Sequence, residues 1–211
     1  VGAGLLCLVI GIFSASLRPA AEVSRRTQEL NSAELIADDL LETVRSKVET
    51  ATDYIKCYDS GTDVTNKTGS SEGSAIEFGY ETEQGYNAAE LLTADGCEPT
   101  KIVIADKVSG EQPRVEKGYL VERYYKDGYS QDADGNPIAR AMTKTYAEGF
   151  YMGLRAGLHF KIDEAKHTVT ATVTIYRDKD LTDKIYSDSL IIDLRYDIPV
   201  KTEVTATKKP A

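Results

Sequence analysis

Residues Val1 to Leu17 carry no charge, and Arg18 is the first charged side chain after them. The run reads VGAGLLCLVIGIFSASL. Leaving such a surface in water is unfavourable by roughly 25 cal/mol for every Å² of apolar area. The segment therefore calls for lipid around it, or for many copies of itself. As an α-helix it reaches about 26 Å at 1.5 Å per residue, slightly short of the roughly 30 Å of hydrocarbon in a bilayer. A secretory signal peptide would begin with Met and a basic region, and neither is present. A lipoprotein signal needs small residues before its cysteine, whereas Leu5 and Leu6 precede Cys7. The chain reads as a processed or trimmed product.

The next stretch is helical in pattern. From Ala21 to Lys56 the apolar positions are Val23, Leu30, Ala33, Ala37, Leu40, Val44, Val48, Ala51 and Ile55, at spacings of 7, 3, 4, 3, 4, 4, 3 and 4. That is a stripe along one face of a helix. Charged residues such as Arg25, Arg26, Glu34, Asp38, Asp39 and Glu42 fall mostly on the other faces. Pro19 predicts a kink or a local unwinding, because it removes one backbone hydrogen bond. A continuous helix over residues 1–56 would span roughly 84 Å, longer than one small domain can cover. Its first half must project.

The remainder is of a different kind. The chain has 211 residues and a net charge of −9, with 13 Tyr, 4 Phe and no Trp. A nucleic-acid partner is not expected, since phosphate binding needs a basic face. After Cys57 the sequence turns to Gly, Ser, Thr and Asp, a loop signature. Strand patterns then succeed one another: Ile76, Phe78 and Tyr80 alternate, 102–104 is a short apolar run, and 120–125 is rich in aromatics with 139–147 as its pairing candidate. Leu158, Phe160 and Ile162 alternate before a turn at 163–166. In 167–176, Val169, Ala171, Val173 and Ile175 face one way and four threonines the other. Leu190, Ile192, Leu194 and Tyr196 form the last strand, 87–94 a short helix, and the tail from Pro199 is polar and loosely held. Short connections between consecutive strands predict an antiparallel sheet, with the long helix laid on its apolar face. The fold class is α+β, with the helix over 1–56, a β-rich domain over 57–198 and a tail over 199–211.

Little in this domain points to catalysis. The histidines, His159 and His167, lie in a strand and after a turn, outside any helix-borne metal motif, and no P-loop or nucleophile elbow occurs. No enzymatic activity is expected. Cys7 reads as a small buried hydrophobe. Cys57 and Cys97 are candidates for a disulfide if the domain is extracellular, contributing roughly 3–4 kcal/mol for a loop of that length. Asn66-Lys67-Thr68 matches a glycosylation sequon. The loop Asp132-Ala133-Asp134-Gly135-Asn136 resembles the start of a calcium loop, with Asp132, Asp134 and Asn136 as oxygen ligands. It lacks the distal acid, since position 143 is Thr, and it reads more readily as a hairpin turn between strands 119–125 and 139–147. Calcium is the one cofactor considered. Tyr119, Tyr124, Tyr125 and Tyr129 suit strand faces or subunit contacts.

An apolar N-terminal helix with a proline at its exit, an amphipathic continuation and a β-rich domain together resemble the type IV pilin and pseudopilin family. The stretch RRTQELNSAELIADDLLETVRSKVE is similar to pilin-like proteins of Gram-positive bacteria. The likeness covers about the first 56 residues and is architectural beyond them. One departure is the acid that the family carries near its mature N-terminus: no acidic residue precedes Glu22. Missing N-terminal residues or a divergent subunit would each account for it. The resemblance implies a filament subunit, held first in the cytoplasmic membrane and then in a cell-surface filament, after cleavage by a prepilin peptidase. Its partners would be membrane lipid and then identical or related subunits. Val1, Leu5, Leu6, Val9, Ile10, Ile12, Phe13 and Leu17 would fill the membrane span and later the filament core, with Gly2, Gly4 and Gly11 allowing close helix approach. Some pseudopilins also hold calcium in loops of this region. The alternative is a membrane-tethered extracellular binding domain that never polymerises.

Overall fold

The structure, a computed structural model, describes residues 2–58, 70–82, 85–93, 101–104, 107–111, 117–126, 130–131, 137–138, 141–144 and 146–200. Side chains are described over 19–58, 70–80, 91, 117–122 and 146–200. The architecture is α+β. One helix, α1 (Gly2–Val48), leads into β1 (Ile55–Tyr58), β2 (Glu72–Gly73), β3 (Ala75–Thr82) and β4 (Gly85–Thr93). Then come β5 (Lys101–Ile104), β6 (Lys107–Glu111), β7 (Leu120–Lys126), β8 (Ser130–Gln131), β9 (Pro137–Ile138) and β10 (Ala141–Lys144). The last three strands are β11 (Arg155–Asp163), β12 (Thr168–Tyr176) and β13 (Lys184–Asp193).

The strands make two principal sheets, ordered β1-β3-β4-β7-β10 and β13-β12-β11-β2, besides the pairs β5-β6 and β8-β9. All of these strand pairs are antiparallel. The expected single sheet is thus divided. Residues 70–73 link the two halves: Ser70 bridges to Cys57 of β1, while Gly73 lies opposite Phe160 of β11. The crossing is tight, because a Cβ on Gly73 would come within 2.5 Å of the Tyr58 carbonyl oxygen.

The helix lies on β12 and β13. Ala33, Ile36, Ala37, Leu40, Leu41, Val44 and Val48 are buried against Val169, Ala171, Val173, Ile175 and Ile192. Each fully buried Val, Leu or Ile contributes about 1.5–3 kcal/mol, which is why the 3-4 stripe selects this face. The alternation in β12 is complete, with the four apolar residues buried and the threonines between them half-buried.

Three expectations about local structure need correction. The helix stops at Val48 rather than at 56, although Ala51 and Ile55 extend its spacing. The Thr50 and Ala51 amides fold back onto the Lys47 and Val48 carbonyls, and the Thr52 and Asp53 amides donate to the Gly79 carbonyl. Ala51 and Ile55 are buried, so the periodicity reported burial beyond the helix itself. Of the expected helix over 87–94, the described residues up to Thr93 belong to strand β4, paired on both sides in the middle of its sheet. Its Ala-Ala-Glu-Leu-Leu run favours helix locally, and tertiary pairing overrides that preference. The start of the expected tail is held rather than loose: the Ile55 amide donates to the Pro199 carbonyl at 3.2 Å, Val200 makes a parallel bridge to Ile55, and Ile198 is buried, while residues 201–211 lie outside the described residues. Pro19, by contrast, lies within a continuous helix.

Candidate functional site

Two regions concentrate features beyond simple packing, the stem of α1 and a buried polar group on β1 and β3. The stem comes first along the chain. Residues 19–28 are all exposed, and burial begins at Ala33. Val23 is 64% exposed and Leu30 44% exposed, although both continue the stripe that is buried further along. Where the helix meets the domain, Arg177 clamps it. Arg177 Nε donates to Glu29 Oε1 at 2.7 Å and Nη2 to Oε2 at 3.0 Å, while Nη1 holds Asp183. The Arg177 hydrogen bond keeps the Glu29 carboxyl below the usual carboxylate range, against the opposing effect of burial.

The turn that carries Arg177 is itself braced. Asp178 accepts hydrogen bonds from the Thr182 hydroxyl, at 2.7 Å, and from the Thr182 and Asp183 amides. These bonds bring its carboxyl down to about 2. The other end of α1 is held by Lys47 on Glu122 at 3.1 Å, by Thr43 with Tyr146 at 2.7 Å and by Arg195 on Glu49 at 3.1 Å.

The buried polar group was not legible as a site in the sequence. Lys56 is 3% exposed and Glu77 7% exposed, and they stand opposite each other in the β1–β3 register. Lys56 Nζ lies 3.1 Å from Glu77 Oε1, which also accepts the Tyr54 hydroxyl at 2.5 Å. The same ammonium lies 5.9 Å from the centre of the Tyr54 ring. The signal available was parity: Lys56 interrupts the apolar run Ile55-Lys56-Cys57-Tyr58, and Glu77 sits between Ile76 and Phe78.

A second buried cation, Arg155, lies with its guanidinium 4.5 Å from the centre of the Tyr119 ring. Tyr119 in turn packs edge-on against Tyr151 at 4.9 Å. Gly118, at φ +88°, makes room for it, since a Cβ there would meet Arg155 Cβ at 2.7 Å. Of the four tyrosines between 119 and 129, Tyr119 is thus buried; Tyr124 and Tyr125 lie on β7, and Tyr129 lies outside the described residues.

The remaining candidates are dispersed. His159 lies 3.3 Å from Glu72, and His167 Nδ1 lies 3.4 Å from Asp197, both histidines half-exposed. Cys57 is buried, and burial, assisted by the Glu72 charge, pushes its thiol up to about 12. Its candidate partner Cys97 lies outside the described residues, as do Asn66, Asp132, Asp134 and Asn136. Among the described residues no group of three His, Cys, Asp or Glu is placed to hold a metal ion.

Comparison with family models, curated proteins and solved structures finds no match to this chain.

Among the described side chains, no helical stretch is long and apolar enough to cross a membrane. The run proposed for that role lies before them: Val1 is outside the described residues, and Leu5, Leu6, Val9, Ile10, Ile12, Phe13 and Leu17 fall on α1 where the backbone alone is described. The described geometry brings together a β-rich domain, a helix clamped at both ends of its buried half, and an exposed continuation of that helix carrying apolar residues.

Proposed function

We propose that this chain is a subunit of a type IV pilus-like or pseudopilus filament, anchored in the membrane before assembly. One observation carries the reading: α1 is continuous from Gly2 to Val48, yet among its described side chains, from Pro19 onward, burial against the domain begins only at Ala33. About 70 Å of helix therefore leads into a domain that leaves residues 19–28 of it exposed. Val23 and Leu30 keep the core-facing line into the exposed part, and the uncharged run lies beyond them. In a filament, helices leave lipid and pack on one another, so hydrophobic burial is exchanged rather than lost. A heterologous contact that does not close then generates a fibre.

The test is electron microscopy of material sheared from the cell surface, with mass spectrometry to find this chain in it. Fibres containing the chain are expected, and bulky replacements at Gly2, Gly4 or Gly11 should abolish them. Single membrane-bound subunits with no fibres would overturn the filament reading and leave the membrane-tethered binding domain.

A further inference from the structure

The pair Lys56–Glu77 is placed for a reaction as well as for an ion pair. Both side chains are almost wholly removed from water, and the ammonium nitrogen is 3.1 Å from a carboxyl oxygen. Burial of that depth makes two charges costly to hold, a cost that conversion to a neutral product removes. Tyr54 donates a hydrogen bond to the same carboxyl oxygen at 2.5 Å, where negative charge develops when a nucleophile adds to the carboxyl carbon. The next two strands continue the charged row by register, with Glu90 of β4 opposite Glu77 and Arg123 of β7 opposite Glu90. Holding the two reactants in contact, away from competing water, is worth an effective concentration of about 10⁵–10⁸ M in well-aligned intramolecular reactions.

We propose that Lys56 and Glu77 join in a self-formed amide cross-link between β1 and β3. Lys56 Nζ adds to Glu77 Cδ, and one Cδ–O bond breaks. The departing oxygen leaves as water with two of the three ammonium protons, and the third stays on the amide nitrogen. Ammonium and carboxylate thus become a neutral amide and water, with no oxidant or co-reactant. Tyr54 acts as a positioning residue that holds the carboxyl and stabilises the adduct. The product exchanges two buried charges for a neutral group. It also ties β1, the first strand after the helix, to the body of its sheet.

The experiment is intact-mass spectrometry of the full chain, denatured and reduced, followed by peptide mapping. The expected mass is below the sequence mass by one water molecule, with a branched peptide joining Lys56 to Glu77. Lys56→Met should restore the full mass, and Tyr54→Phe should slow the appearance of the lighter species. Protein at full sequence mass, cleaved by trypsin after Lys56, would overturn the proposal. So would a branch joining any other pair. These readouts do not depend on whether the chain forms filaments.

Discussion

Arg177 and Glu29, 148 positions apart, form a two-point ion pair at 2.7 and 3.0 Å that joins the end of β12 to the stem of α1. A planar guanidinium on a carboxylate fixes direction as well as distance. The pair therefore sets the line along which the exposed helix leaves the domain.

Breaking that clamp should loosen the stem and spare the core. Arg177→Lys keeps the charge and loses the fork. Hydrogen exchange of the amides over residues 26–32 should accelerate several-fold, with the amides of β12 unchanged. Equal protection in both proteins would mean that the clamp does not direct the stem. Acid should act similarly through Asp178. Its folded value, about 2, lies below the ordinary 3.8, so its contribution is present above 3.8 and is lost as pH falls toward 2.

The two halves of the apolar stripe should respond in opposite ways. Leu40→Ala removes a fully buried side chain and should destabilise the domain by about 2–5 kcal/mol, measured by denaturant unfolding. Val23→Ala and Leu30→Ala alter exposed residues and should change stability by less than about 0.5 kcal/mol. In the filament reading they should reduce fibre yield all the same. Fibres unchanged by both would remove the exposed stripe from the assembly face.

Gly73→Ala should be costly for its size. The new Cβ would meet backbone, the Tyr58 carbonyl oxygen at 2.5 Å, where no flexible side chain can yield. Overpacking of this kind costs about 1–3 kcal/mol, and thermal unfolding would register it. A neutral result would mean that the crossing between the sheets can relax.

In the reduced protein, Cys57 should resist thiol reagents until the domain unfolds, because its side chain is buried and its thiol is raised to about 12 from an ordinary 9.0. The sign follows from linkage. The raised folded value leaves this contribution intact below pH 9.0 and erodes it between 9.0 and about 12, by up to about 1.4 kcal/mol per pH unit. Labelling in denaturant without reductant separates the two states of the cysteine. A free Cys57 reacts, and a Cys57–Cys97 disulfide does not.

Burial was legible where periodicity is regular. The spacing of Ala33, Ala37, Leu40, Val44 and Val48 located the helix face that packs, and the alternation of Val169, Ala171, Val173 and Ile175 located the inward face of β12. The same spacing placed Ala51 and Ile55 in the core and misread their conformation. Periodicity reports which residues avoid water, and near a chain reversal both a helix and a strand can bury them. The segment 87–94 shows the limit from the other side. Its helix-favouring residues became a central strand because β3 and β7 offer hydrogen bonds along both edges, a gain that no local preference records.

By itself, the sequence determined the α+β class, the inward faces of the helix and of β12, and the presence of an uncharged, largely apolar segment over Val1–Leu17. These follow from apolar area and its spacing along one chain. Only the tertiary structure decided that there are two sheets linked at Gly73, that Arg177 grips Glu29, and that Lys56 and Glu77 face each other out of water. Each of these depends on strand register and chain crossing, which bring together residues as far as 148 positions apart on different elements. Charge in a sequence has no address until the fold supplies its neighbour.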